Sequence, residues 1–239
     1  GAADDKGQLM TFVEACRAWK AVHSTLPGNI TFLFEGEEES GSPSLSRLLA
    51  AHRDALAADD PMLIEQIQTR LLPRRGILAR EDEILVTLGA QNALYILAAL
   101  LVQPETRVAI EDPGYPDLRN IFGLKTDRIQ PIPVDAHGLP VDRRLDDADI
   151  VFVTPSHQAP TTVTLPRTRR QELLAKANDK DFVIIEDDYE WETNYVSEPT
   201  PALKSMDTAG RVIYVGSLSK TLFPGLRLGY LVGPAPLIR

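Results

Sequence analysis

The chemistry of this chain is concentrated around Lys220, which follows Ser217-Leu218-Ser219 and precedes Pro224-Gly225-Leu226-Arg227-Leu228-Gly229. A lysine amine is nucleophilic once deprotonated, and burial beside cationic groups lowers its pKa from about 10.4. Such an amine can form a Schiff base with an aldehyde. Arg227 stays charged and offers a planar fork, so with the Ser217 and Ser219 hydroxyls it suits a phosphate carried by the same aldehyde.

Four further clusters fit that chemistry, although each also has a plainer structural explanation. Gly89-Ala90-Gln91 reads as a strand-to-helix turn whose free N–H groups make an anion site, or as a simple helix start. Asp112-Pro113-Gly114-Tyr115-Pro116 reads as a tight turn that would hold the Tyr115 ring where it could stack on a flat heteroaromatic cofactor. In Thr154-Pro155-Ser156-His157-Gln158-Ala159-Pro160-Thr161, His157 and Gln158 are candidate donors to a ring oxygen. Glu186-Asp187-Asp188-Tyr189-Glu190 is either a solvated acidic rim or a functional cluster. In the second case a carboxylate keeps a pyridine nitrogen protonated, making the ring an electron sink, and Tyr189 contacts the ring's phenolic oxygen.

These clusters must be positioned by a regular scaffold. From Ile84 onward, short β-branched runs alternate with helical segments, which predicts an α/β fold with a mostly parallel seven-stranded sheet and helices on both faces. The expected strands are Ile84–Thr87, Arg107–Glu111, Ile129–Val134, Ile150–Thr154, Phe182–Glu186, Val212–Gly216 and Leu228–Val232. One helix should begin at Gly89 and present Leu94, Leu97, Ala98 and Leu101 on one face. A second should use Thr164 as N-cap, carry Pro166 in its first turn and run to about Asn178. Pro61 reads as a third helix start, with Leu63, Ile67 and Leu71 inward. All five clusters then fall at strand ends, where open α/β sheets bind ligands.

Residues 1–60 read as a separate, short α/β unit: an amphipathic helix over 7–23, an apolar strand from Ile30 to Phe34, and a helix from about Pro43 to Ala58. Asp59-Asp60-Pro61 is the expected seam with the second unit, 61–239.

The net charge is −9, with ten acidic and five basic residues in 1–60 and 24 and 20 in the remainder, so neither unit has a basic excess. That predicts no nucleic-acid partner. The single Cys16 fits a reducing cytoplasm, and no apolar run reaches the roughly 20 residues that span a bilayer. The missing initiator methionine suggests a processed or truncated product.

Residues 61–239 resemble the large domain of fold-type I pyridoxal-phosphate enzymes, the aspartate aminotransferase fold, and in particular the aminotransferase-like domain of MocR-type regulators and its free-standing relatives. The matching strings are Glu111 to Pro116, Thr154 to Gln158, Glu186 to Tyr189 and Ser217 to Gly229. The resemblance implies that Lys220 is the Schiff-base lysine and that Arg227, Ser217 and Ser219 bind phosphate, with backbone donors from Ala90 and Gln91. It also implies that Asp187, ahead of Asp188, meets the pyridine nitrogen, Tyr189 the ring oxygen and Tyr115 the ring face. An amino acid or keto acid ligand and a homodimer are expected on the same ground. Two departures stand out: Pro160-Thr161-Thr162 replaces the family's usual Pro-Thr-Gly, and the chain stops at Arg239, before the family's small C-terminal domain.

Residues 1–60 resemble a fragment of the dinuclear zinc peptidases, the family of carnosinase-like dipeptidases and acetylornithine deacetylase. The strings are Asp4-Asp5-Lys6-Gly7 and Glu38-Glu39-Ser40-Gly41-Ser42. By that resemblance Asp4 bridges two metals, Glu38 is the base and Glu39 a ligand. The family's histidine ligands are missing, so zinc is the lesser expectation and peptidase activity is not expected. The pairing of the two resemblances suggests a chimera. The leading expectation is an aminotransferase-like protein acting on an amino acid through Lys220. The alternatives are a metal-dependent dipeptidase or deacetylase fragment, and a non-catalytic effector domain of a transcription regulator.

Overall fold

The computed structural model describes residues 6–25, 61–191, 200–218 and 228–238. Its centre is a seven-stranded sheet. The strands are β1 (Ile84–Thr87), β2 (Val108–Asp112), β3 (Ile129–Pro133), β4 (Ile150–Val153), β5 (Val183–Asp188), β6 (Val212–Ser217) and β7 (Gly229–Val232). They lie in the order β1-β7-β6-β5-β4-β2-β3. β7 runs antiparallel to both neighbours and every other pairing is parallel. All seven expected strands are present, each within two residues of its expected ends.

The sequence explains why this sheet sits inside. β4 and β6 are buried along their whole length, and β5 everywhere except Val183, as strands covered on both faces must be. Strand alternation sends their side chains to two cores. Ile185, Ile213 and Val215 join Leu94 and Leu97 of α3 (Gly89–Leu101) and Leu118 and Phe122 of α4 (Pro116–Gly123). Ile184, Val212 and Val153 join Leu173, Leu174 and Ala177 of α5 (Arg167–Lys180) on the opposite face. Burying the four fully enclosed leucines Leu94, Leu97, Leu118 and Leu173 contributes roughly 1.5–3 kcal/mol each relative to exposure.

The helix expected at Pro61 exists as α2 (Pro61–Gln66), continuing through a π turn at Ile67–Leu71 and a 3-10 turn at Leu72–Arg75. Gly76 ends it with φ 73°, a left-handed conformation that glycine adopts without strain. Ile67 and Leu72 turn inward against Val86, Tyr214 and Tyr230.

One local expectation is corrected. Thr164 does not cap α5: the capping position is Pro166, which has no side-chain cap, while the Thr164 hydroxyl donates to the Ser156 carbonyl at 3.1 Å. The N-terminal helix α1 (Lys6–His23) forms, but none of its described side chains is buried, and Trp19 and Val22 are exposed. The expected strand Ile30 to Phe34 and helix Pro43 to Ala58 lie outside the described residues. Among the described residues, no helix is long and apolar enough to cross a membrane.

One position tests the packing directly. A Cβ on Gly216 would collide with the ring of Tyr230, which is itself buried. Gly216→Ala should lower stability by about 1–3 kcal/mol in urea unfolding, the usual cost of overpacking a core. Gly233→Ala, whose new methyl would meet its nearest atom at 3.5 Å, should cost much less.

Candidate functional site

The described parts of the sequence clusters meet along one edge of the sheet. β1 runs opposite to β7, and β7 opposite to β6, so the carboxyl ends of β1, β2, β4, β5 and β6 share an edge with the amino end of β7. Gly229 shows how tightly they converge: it lies between Thr87 and Ser217, the last residues of β1 and β6. A Cβ at Gly229 would be only 2.6 Å from the Gly89 carbonyl carbon and 2.9 Å from the Ala90 nitrogen. Glycine there lets β7 press against the start of α3. The first N–H groups of a helix lack intrahelical acceptors and favour an anion, and Ala90 and Gln91 sit at that position. Ser217 is buried beside it.

Tyr115 and Gln91 are tied together by a residue that sequence reasoning missed. The Tyr115 hydroxyl donates to Asp117 Oδ2 at 3.0 Å, and the Gln91 amide donates to the same oxygen at 3.3 Å. In the sequence Asp117 looks like an ordinary first-turn acid of α4, favourable there for the helix dipole. Only the approach of α3 reveals the second contact.

The acidic cluster is buried rather than a solvated rim. Glu111, Glu186, Asp187 and Asp188 are all nearly inaccessible to water. Glu111 accepts from the Thr154 hydroxyl (2.5 Å) and amide (3.1 Å), yet burial pushes its carboxyl up to about 7. Glu186 accepts from the Leu203 and Lys204 amides, both at 2.7 Å, and burial followed by the Asp188 charge raises it too. Asp188 Oδ2 accepts from Arg75 Nε at 2.6 Å and from the Tyr214 hydroxyl at 2.8 Å. Asp187 differs. Its Oδ1 is buried and has no hydrogen-bond partner among the described residues; Asp188 Oδ1 is unpartnered too, but Asp188 is held through its other oxygen, whereas Asp187 is not. Burial, then the charges of Asp188, Glu111 and Glu186, push its pKa up to about 8.

In the third cluster Gln158 is buried, with both ends of its amide engaged. Its nitrogen donates to the carbonyls of Pro113 (2.8 Å) and Ala159 (2.7 Å), and its oxygen accepts from the Thr161 amide and hydroxyl. It therefore clasps the loops after β2 and β4. His157 lies 3.5 Å from the Glu190 carboxylate and edge-on to Tyr189, ring centroids 6.2 Å apart. Burial and the nearby acids Glu190, Asp187 and Glu111 push the Tyr189 phenol up to about 12.

Lys220, Ser219 and Arg227 lie outside the described residues, as do the metal candidates Asp4, Glu38 and Glu39. Among the described residues, no group of three or more histidine, cysteine or acidic side chains is arranged to hold a metal ion.

Residues 53–239 match the family model for aminotransferase class I and II. The chain belongs to that family. The class I and II aminotransferase match begins eight residues before the expected seam at 61. The chain is 48% identical over 185 residues to the HTH-type transcriptional regulator TauR of Rhodobacter capsulatus, covering 77% of this chain and 38% of TauR. It is 34% identical over 229 residues to the HTH-type pyridoxine biosynthesis regulator PdxR of Corynebacterium glutamicum, covering 92% of this chain and 50% of PdxR. The latter match leaves out about 19 of 239 residues, so it reaches well into 1–60. In structure the chain resembles kynurenine aminotransferase of Pyrococcus horikoshii, solved with PMP and kynurenine, at TM-score 0.67 and 25% identity, covering 95% of this chain and 60% of that one. It thus spans between about four-tenths and one-half of the length of these two regulators.

These relatives correct one expectation. Charge predicted no nucleic-acid partner, but relatives named as HTH-type transcriptional regulators do not fit that exclusion. The net charge of −9 describes only the residues present, a fraction of those proteins' length. It carries no information about surfaces elsewhere.

The Asp187 environment makes a pH prediction for this class I and II aminotransferase domain. Folded Asp187 holds a proton up to about pH 8, whereas an unfolded aspartate releases it near pH 4. Unfolding between those values therefore sheds a proton, and stability should fall as pH rises from about 4 to about 8. In cofactor-free protein, the urea midpoint should decline across that window, and Asp187→Asn should flatten the slope.

Proposed function

We propose that this chain is the pyridoxal-phosphate-binding domain of an aminotransferase-like transcription regulator, sensing a primary amino compound, with an amino acid the first candidate. The observation that carries the cofactor assignment is Asp187: a buried carboxyl that, unlike Asp188, has no hydrogen bond among the described residues, at the ligand-binding edge of an aminotransferase-family sheet. A protonated ring nitrogen is the donor that carboxyl lacks. The regulatory half of the reading rests on the identity to TauR and PdxR.

The other residues fit the same group. The start of α3, held close by Gly229, and the buried Ser217 would bind the phosphate together with Ser219 and Arg227. Tyr115, anchored by Asp117, would cover the ring. Tyr189 stays neutral across the physiological range and can donate to a ring oxygen. Gln158 would act indirectly, holding the two loops that flank the ring. Pyridoxal phosphate supplies an aldehyde for covalent attachment and a ring that withdraws electrons from the ligand's α carbon. Lys220 would contribute the attaching amine and, once released, would move the proton at that carbon. A homodimer, a cytoplasmic location and a nucleic-acid contact of the whole protein belong to this reading. Zinc does not: Asp4, Glu38 and Glu39 are three carboxylates without a histidine, a poor zinc set.

A second reading, full amine transfer, is favoured by the family itself and by the likeness to kynurenine aminotransferase.

Titration with pyridoxal phosphate should produce an absorbance band near the visible edge that Lys220→Ala abolishes. No band, or one that persists in the variant, would overturn the assignment. With amino acids added, a change in the band without keto acid supports sensing. Accumulation of pyridoxamine phosphate with keto acid supports transfer.

A further inference from the structure

Arg75 is buried at 1% exposure, and its contacts radiate to several parts of the fold. It ends the 3-10 turn Leu72–Arg75, far in sequence from the acidic cluster. Nε donates to Asp188 Oδ2 at 2.6 Å, Nη1 to the Thr200 carbonyl at 2.6 Å and Nη2 to the Ser156 hydroxyl at 2.7 Å. The guanidinium carbon lies 5.1 Å from the Trp191 ring centroid, and the Arg75 carbonyl accepts from the Ala202 amide at 3.0 Å. One residue thus joins the loop after β4, the end of β5 and the segment at 200–202. Tyr214 of β6 adds its hydroxyl to the same Asp188 oxygen.

The faces of the sheet give this arrangement its meaning. Side chains alternate along β5, so Asp187 projects with Ile185 toward the α3 side, while Asp188 projects with Ile184 and Glu186 to the other. Arg75 therefore grips the strand end from behind. The residue it holds directly is the immediate neighbour of the residue that faces the ligand edge. Arg75 also opposes the Asp188 charge, which would otherwise stand unbalanced beside Asp187. A buried ion pair is a weak device for stability alone, since its desolvation cost offsets much of its attraction.

We propose that Arg75 is a positioning residue that acts through Asp188 on Asp187, setting from the far face of the sheet how Asp187 meets the ring nitrogen of the cofactor. This rests on the reading under Proposed function. The charged groups around Asp187 among the described residues are Glu111 on β2 and Glu186 and Asp188 on β5, with Arg75 behind Asp188 and Arg170 behind Glu186. Removing Arg75 leaves the charges of three acids acting on Asp187 and one cation fewer to offset them.

The test compares pyridoxal phosphate with its 1-deaza analogue, in which carbon replaces the ring nitrogen. Wild-type protein should bind both. Arg75→Gln should lose about tenfold or more in affinity for pyridoxal phosphate, the scale of one charge-assisted hydrogen bond, and lose little for the analogue. In the double variant Arg75→Gln with Asp188→Asn, which also removes the unbalanced acid, part of the affinity for pyridoxal phosphate should return. Equal losses for both molecules, or no loss for either, would overturn the proposal and leave Arg75 a purely structural residue. If Arg75→Gln does not fold, Arg75→Lys keeps the charge without the three-way fork, and the same comparison decides. Failure of wild-type protein to bind pyridoxal phosphate would instead defeat the underlying cofactor reading.

Discussion

Burying four carboxyl groups at one edge of a sheet is the constraint around which this structure is arranged. An acid taken from water must be neutralised or supplied with donors, and the chain answers differently at each position. Glu111 takes a hydroxyl and an amide from Thr154, and Glu186 takes two backbone amides from the start of the 3-10 turn near Lys204. Asp188 takes a guanidinium and a phenol. The Asp187 carboxyl has no hydrogen bond among the described residues, and its burial beside three other acids raises its proton affinity.

The strand period makes that division workable. Alternation along β5 separates Glu186 and Asp188, which are bonded to the scaffold on one face, from Asp187 on the other. The loops after β2 and β4 are fastened by the same means: Gln158 bridges both, and Glu111 anchors the second to the strand carrying the first. These bonds hold the two loops rigidly at the strand edge, as a site that needs tight tolerances requires.

Glycine governs the approach of backbones at two points. Gly229 lets β7 lie against the first residues of α3, bringing a helix N-terminus to the strand edge, and Gly216 leaves room for the Tyr230 ring. Both work through an absence of side-chain atoms, so their importance becomes apparent only when the neighbouring segment is known.

Much was legible in the chain. The β-branched runs of β4, β5 and β6 marked buried parallel strands, because a strand covered on both faces must be apolar throughout. The motif strings around Asp112, Ser156 and Asp187 indicated a ligand edge, and the family followed from them. The failures were local or long-range. Thr164 resembled a cap, yet its hydroxyl found a carbonyl across the loop. Arg75 and Asp117 gave no signal at all, since an arginine after a proline and an acid at a helix start are ordinary in sequence. What the sequence determined alone was periodic and local: strand and helix content, the order of elements, and the residue types available for chemistry. Which acid is paired by the protein and which is left without a hydrogen bond depends on contacts across as many as 113 residues, and only the folded arrangement decides that.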